Sequence, residues 1–120
     1  AVNQATNIAS PGVYKTTIVV PANSQITSIR VFKTTAWDGV AQTINVGTSA
    51  TATELAVAAD NNLGTTLGVT SIIPGDNATR TGLWLDVGSS DVQIYTKSTN
   101  TGGGIGYIVV DYVQANNLTP

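Results

Sequence analysis

The acid–base and nucleophilic resources of this 120-residue chain are few: seven Asp and Glu, five Lys and Arg, and no His, Cys or Met. Without His the commonest general base and transition-metal ligand are missing. Without Cys there is no thiolate, no disulfide framework and no cysteine-ligated zinc. The carboxylates are what remain. Asp86 and Asp91 flank Gly88-Ser89-Ser90 and, on the two arms of a hairpin, would face one another as a glycosidase pair does. The plainer reading is favoured: Asp86 points outward between Leu85 and Val87, and Asp91 opens a strand beside a turn. Asp60-Asn61-Asn62 and Asp76-Asn77 offer oxygen ligands, but neither has the spaced acids and terminal Glu of a calcium loop. Gly102-Gly103-Gly104-Ile105-Gly106 precedes a strand, whereas a phosphate cradle follows one and opens a helix, so it reads as a loop. Ser and Thr are plentiful, yet no base accompanies them, and Lys15, Lys33 and Lys97 have no Ser-x-x-Lys spacing. The expectation is a non-enzyme: no catalytic residue, no cofactor and no bound metal.

Aromatic residues are the other chemistry-bearing group. Trp37 and Trp84, with Tyr14, Tyr95, Tyr107 and Tyr112, would suit a stacking platform for sugars. Trp84 sits between Leu83 and Leu85 and is expected to fill the core or an interface. Trp37 lies in a loop before Asp38-Gly39 and is the better candidate for an exposed contact. Tyr14, Phe32, Trp37 and Trp84 are the interface candidates, with core and contact roles left open for Tyr14, Phe32 and Trp37.

The elements that must carry these side chains are mostly strands. Val13 to Val20 is β-branched and aromatic and stops at Pro21; Ile26 to Lys33 alternates, with Ile29 and Val31 on one face and Ile26 and Phe32 on the other. The short Pro-Ala-Asn-Ser link suggests that these two strands are neighbours in one sheet. Ala41 to Val46, Val69 to Ile73, Gly82 to Val87, Asp91 to Lys97 and Ile105 to Gln114 follow, the third and fourth of these read as a hairpin about Gly88-Ser89-Ser90. The one helix-like stretch is Ala52 to Asp60, rich in Ala, with Thr51 or Thr53 as N-cap. Residues 1–12 read as an N-terminal arm ending at Ser10-Pro11-Gly12, residues 13–114 as the folded domain and 115–120 as a polar tail. Short strands at near-regular spacing, without alternating helices, predict an all-β protein: an antiparallel β-sandwich of jelly-roll type with at most one short helix.

Charged residues make up only 10% of the chain, where about 25% is usual. A formal net charge of −2 gives no electrostatic reason to bind nucleic acid or anionic lipid. No apolar run approaches the roughly 18 residues of a membrane helix. Ala1 to Gln4 has neither the basic nor the apolar block of a signal peptide, so the expected site of synthesis is the cytosol. A chain with only three Lys and one Glu, and with strands apolar on both faces, matches the composition of an interface-building subunit.

The run Ile18-Val19-Val20-Pro21-Ala22-Asn23-Ser24-Gln25-Ile26, then Val31 to Gly39, then Thr43-Ile44-Asn45-Val46-Gly47-Thr48 resembles small virion proteins of tailed bacteriophages. In those chains a strand ends in Val/Ile-Pro-Ala-Gly/Asn, and an aromatic-Asp-Gly turn leads to a Val-Gly-Thr end; Thr53-Glu54-Leu55 to Asp60 is also similar. The resemblance spans residues 13 to 64, about half the chain; the second half carries no matching motif. It implies a head decoration (cement) protein, jelly-roll-like and homotrimeric. Its partners would be copies of itself and the major capsid protein, and its place the virion surface after synthesis in the bacterial cytoplasm. The alternative is a tail- or fibre-associated or glycan-binding module.

Overall fold

The computed structural model describes residues 2–3, 13–38, 41–98 and 103–114, with side chains from Thr16 onward. Among these residues seven strands form: β1 (Val2–Asn3), β2 (Val13–Val20), β3 (Ser24–Thr35), β4 (Asn45–Gly47), β5 (Gly68–Ile72), β6 (Val92–Lys97) and β7 (Ile105–Gln114). The α-helix α1 (Ala78–Leu85) separates β5 from β6.

The strands make two antiparallel sheets, ordered β1-β7-β3-β5 and β2-β6-β4. The first has three principal strands and the two-residue β1. Segment 54–57 lies on the far side of β4 through an antiparallel bridge between Val46 and Ala56, acting as a fourth member of the second sheet. Numbered along the chain with that segment as fifth, the pieces fall 1-8-3-6 in one sheet and 2-7-4-5 in the other. That is the strand order of a jelly roll. The all-β sandwich expected from the sequence is therefore the observed architecture.

Strand β3 shows how the core is filled. Strict alternation puts Ile26 on the face opposite Ile29, yet Ile26, Ile29 and Val31 are all buried. A bulge between Ile26 and Ser28 inserts one extra residue against β7, and the side chains beyond it change face. These residues meet Val20, Val46 and Ile94 from the second sheet, together with Trp37, Ile44, Leu55, Leu63 and Ile72. Lys33 also points inward; its Nζ donates to the Leu63 carbonyl, and burial pushes its pKa down.

Three expectations are corrected. First, β2 and β3 belong to different sheets: Pro21–Asn23 carries the chain from one layer to the other, and Asn23, at φ +62°, donates its N–H to the Gly88 carbonyl at 2.7 Å. Second, Gly82 to Leu85 is helical, so no hairpin forms about Gly88. Asn77 caps α1, its Oδ1 accepting from the Arg80 N–H at 3.0 Å. Leu83 and Trp84 pack on the core, and the Asp86 N–H closes the helix on the Gly82 carbonyl. Third, 52–60 forms no α-helix. Leu55 and Ala56 both donate to the Val46 carbonyl, Ala56 accepts from Val46, and only a single 3-10 turn forms at Ala58–Asp60. A helix of about nine residues is marginal alone, and pairing with β4 with Leu55 wholly buried outweighs it. Apart from Val2 and Asn3, the arm 1–12 lies outside the described residues, as does the tail 115–120.

Candidate interaction surface

The outer face of the first sheet is built in rows by the register of its three long strands. Phe32 of β3 stands between Tyr107 of β7 and Val69 of β5; Arg30 stands between Val109 and Ser71; Ser28 lies opposite Asp111. Tyr107 and Val69 are each 51% exposed, and Ile73 just past β5 is 50% exposed. Phe32 is half-buried among them. The inner face of the same strands carries Ile29, Val31 and Ile72 in the core. Period-two alternation thus produces a second apolar surface that this chain does not cover with any described residue.

The charges on this face cancel. Arg30 Nη2 is 2.9 Å from Asp111 Oδ2, which also accepts from Ser28 Oγ at 2.6 Å. The hydrogen bond from Ser28, and then the Arg30 guanidinium, holds the Asp111 carboxyl below the usual carboxylate range. The same guanidinium lies 5.7 Å from the centre of the Phe32 ring, within cation–π reach. Exposed aromatic and β-branched side chains around an Arg, with no Lys or Glu, make the composition found at the centres of protein interfaces.

Of the four interface candidates, Phe32 is on this face. Trp37 is not: it is fully buried, which corrects the expectation of an exposed contact. The reason lies in the glycine-rich loop. Asp38 Oδ1 accepts from the Gly103 N–H at 3.0 Å, and Gly104 brings its backbone onto the indole, where a Cβ would lie 2.3 Å from Trp37 Cδ1. Trp84 is half-buried on α1 and donates from Nε1 to the Leu55 carbonyl at 2.8 Å, so it locks α1 to the 54–57 segment. The side chain of Tyr14 lies outside the described residues; its backbone pairs with Thr96.

The carboxylates serve local structure. Asp86 Oδ1 accepts from the Gly88 N–H and Asp91 Oδ1 from the Ala22 N–H, both at 2.9 Å. Asp60 pairs with Arg80 at 3.3 Å across Gly75, whose φ of +75° and missing Cβ leave room for the carboxylate. Asn61 is buried with its side-chain amide bonded to Val57 and Ile73, Asn62 accepts from Gly64, and Asn77 caps α1. Among the described residues no group of three or more His, Cys, Asp or Glu is placed to hold a metal ion. The most perturbed acid is Glu54, whose carboxylate accepts from the Thr48 N–H, Ser49 Oγ and Thr51 Oγ1 at 2.6–2.9 Å. Burial works against its charge, but these bonds prevail and lower its pKa to about 2. It pins the turn after β4.

Sequence reasoning missed Tyr107, Val69, Ile73 and the Arg30–Asp111 pair as members of one surface. The alternation Tyr107, Val109, Asp111, Val113 was visible, but not the β3–β7 pairing that sets it beside Phe32 and Arg30. No protein-family model, curated protein or solved structure matches the chain. Among the described residues, no helix is long and apolar enough to cross a membrane.

Proposed function

We propose that this protein is a structural component of a bacteriophage particle, a decoration subunit that attaches to the major capsid protein and to copies of itself. The observation that carries the reading is the neutral apolar outer face of the first sheet, centred on Phe32, Tyr107 and Val69. A jelly roll presenting such a face on a rigid sheet is suited to docking on a shell, where many weak identical contacts add through effective concentration. The low charge content and the resemblance of residues 13–64 to small phage virion proteins support it.

Serum raised against the purified chain should label capsid heads, with hundreds of copies per particle by gel densitometry. A Val69→Asp variant, altered at an exposed position away from β7, should fold normally and lose most of its occupancy on heads. Label restricted to tails, or absent from particles, overturns the reading; so does full occupancy of the Val69→Asp variant.

A further inference from the structure

The sheet edges of this sandwich are treated unequally. Strand β2 has a register break between Lys15 and Val19 and ends at Pro21, two devices that blunt an edge. Strand β5 has five residues and begins at Gly68. The outer side of β4 is taken by segment 54–57. Strand β7 differs from all three. Its inner neighbour β3 runs along its full length, from Ile105 to Gln114, whereas on its other side the described residues supply only Val2 and Asn3, opposite Gly106 and Ile105. From Tyr107 to Gln114 no described residue pairs with that side. The stretch has no Pro, Lys or Gly, and its single charge, Asp111, is turned across to Ser28 and Arg30 of β3. Such an edge is a template for another strand.

We propose that β7 pairs antiparallel with β7 of a second copy, about a twofold axis at Val110, joining the two first sheets into one. The axis follows from the sequence of the stretch. In a twofold pair one residue faces its own copy, and pairing is longest when that residue is central. The central choices are Val110 and Asp111. Asp111 would set two carboxylates directly opposite one another, which disfavours it. With Val110 on the axis, Tyr107 opposes Val113 of the other copy, Ile108 opposes Tyr112, and Val109 opposes Asp111. Each occurs twice by symmetry, and the first two are aromatic–β-branched pairs, a favourable cross-strand class. Tyr112 and Val113, 43% and 60% exposed, gain partners that way. Opposed residues share a face, so the two outer surfaces point in the same direction. The arrangement closes at two copies, where the resemblance implied three.

The test uses the isolated full chain, so its outcome is separate from docking on capsids. Sedimentation velocity over a concentration series should show a monomer–dimer equilibrium. Val109→Asp places a carboxylate opposite Asp111 of the other copy at two symmetric positions and should weaken dimerisation by about tenfold or more. Within the chain position 109 neighbours Arg30, so the fold should persist, read as an unchanged circular dichroism spectrum and Tm. The double variant Val109→Asp with Asp111→Val exchanges the two partners and should restore the dimer. A monomer at millimolar concentration, a trimer, or a dimer indifferent to Val109→Asp overturns the proposal. Failure of the double variant to recover overturns the Val110 axis.

Discussion

The outer side of β4 and the outer side of β7 pose the same problem, a row of backbone groups at the margin of a sheet, and the molecule answers it in two ways. Beside β4 the chain returns on itself. Segment 54–57 bonds to Val46, Leu55 enters the core, Trp84 reaches the Leu55 carbonyl, and Glu54 fastens the preceding turn with three hydrogen bonds. The fit is tight enough that a Cβ on Gly47 would lie 2.2 Å from Glu54 Oε1. Beside β7 the described chain covers two positions and stops. The sequence at the covered margin is Ala-rich with helical leanings, and at the open one it is among the best strand formers in the protein. The margin that must be closed for the fold to exist is closed by tertiary contacts against local preference. The open margin keeps an intrinsically good strand, a division expected where one side supplies stability and the other recognition.

Substitutions can break this contrast, and the largest effect belongs to Leu55. Leu55→Ala removes a fully buried side chain between the two layers and should cost about 2–5 kcal/mol in urea unfolding. A cost below about 1 kcal/mol would mean that segment 54–57 is not integral to the core.

Glu54→Gln comes next, with a pH signature. The folded pKa of about 2 lies below the ordinary 4.5, so the charged carboxylate stabilises the fold fully above pH 4.5. That contribution fades as pH falls from 4.5 towards 2. The variant should therefore be less stable than the parent at pH 6, by about 1 kcal/mol for charged hydrogen bonds partly replaced, and the gap should narrow at pH 3. A gap independent of pH would remove the charge from the explanation.

The smallest effect is expected at the open margin. Val113→Lys, at an exposed position, should change the stability of the dilute monomer by less than about 0.5 kcal/mol. A loss comparable to that of Leu55→Ala would place Val113 in the fold's own packing and erase the distinction between the two margins.

Much of this architecture was legible where period-two alternation of β-branched residues runs unbroken. Strands β2 and β7 match their sequence boundaries, and β3, β5 and β6 are found within a few residues of theirs. Reading failed where local preference and distant partners disagree. Leu83-Trp84-Leu85 looks like strand, but the cap at Asn77 and the burial of Leu83 and Trp84 against the core make it helix. The bulge near Thr27 leaves no mark in sequence, yet it moves Ile26 into the core with Ile29. Trp37 looked exposed because its cover, Gly104, arrives from far along the chain. Of the candidate surface, Phe32 was picked out as an interface residue and Tyr107 only as one of the aromatics suited to a sugar platform; the rest depended on register.

The jelly-roll order also has a kinetic consequence. Each strand lies in the opposite sheet from the one before it, and β7, last of all, sits between β1 and β3. The first sheet therefore lacks the strand that joins β1 to β3 until residues 105–114 have been synthesised. On one side β3 can pair with β5 early, but its longer pairing with β7 must wait for residues 105–114, and loop closure over such sequence distances makes folding slow. During that interval the nascent chain carries β-branched segments that have no mates, the state most prone to aggregation and most dependent on chaperones.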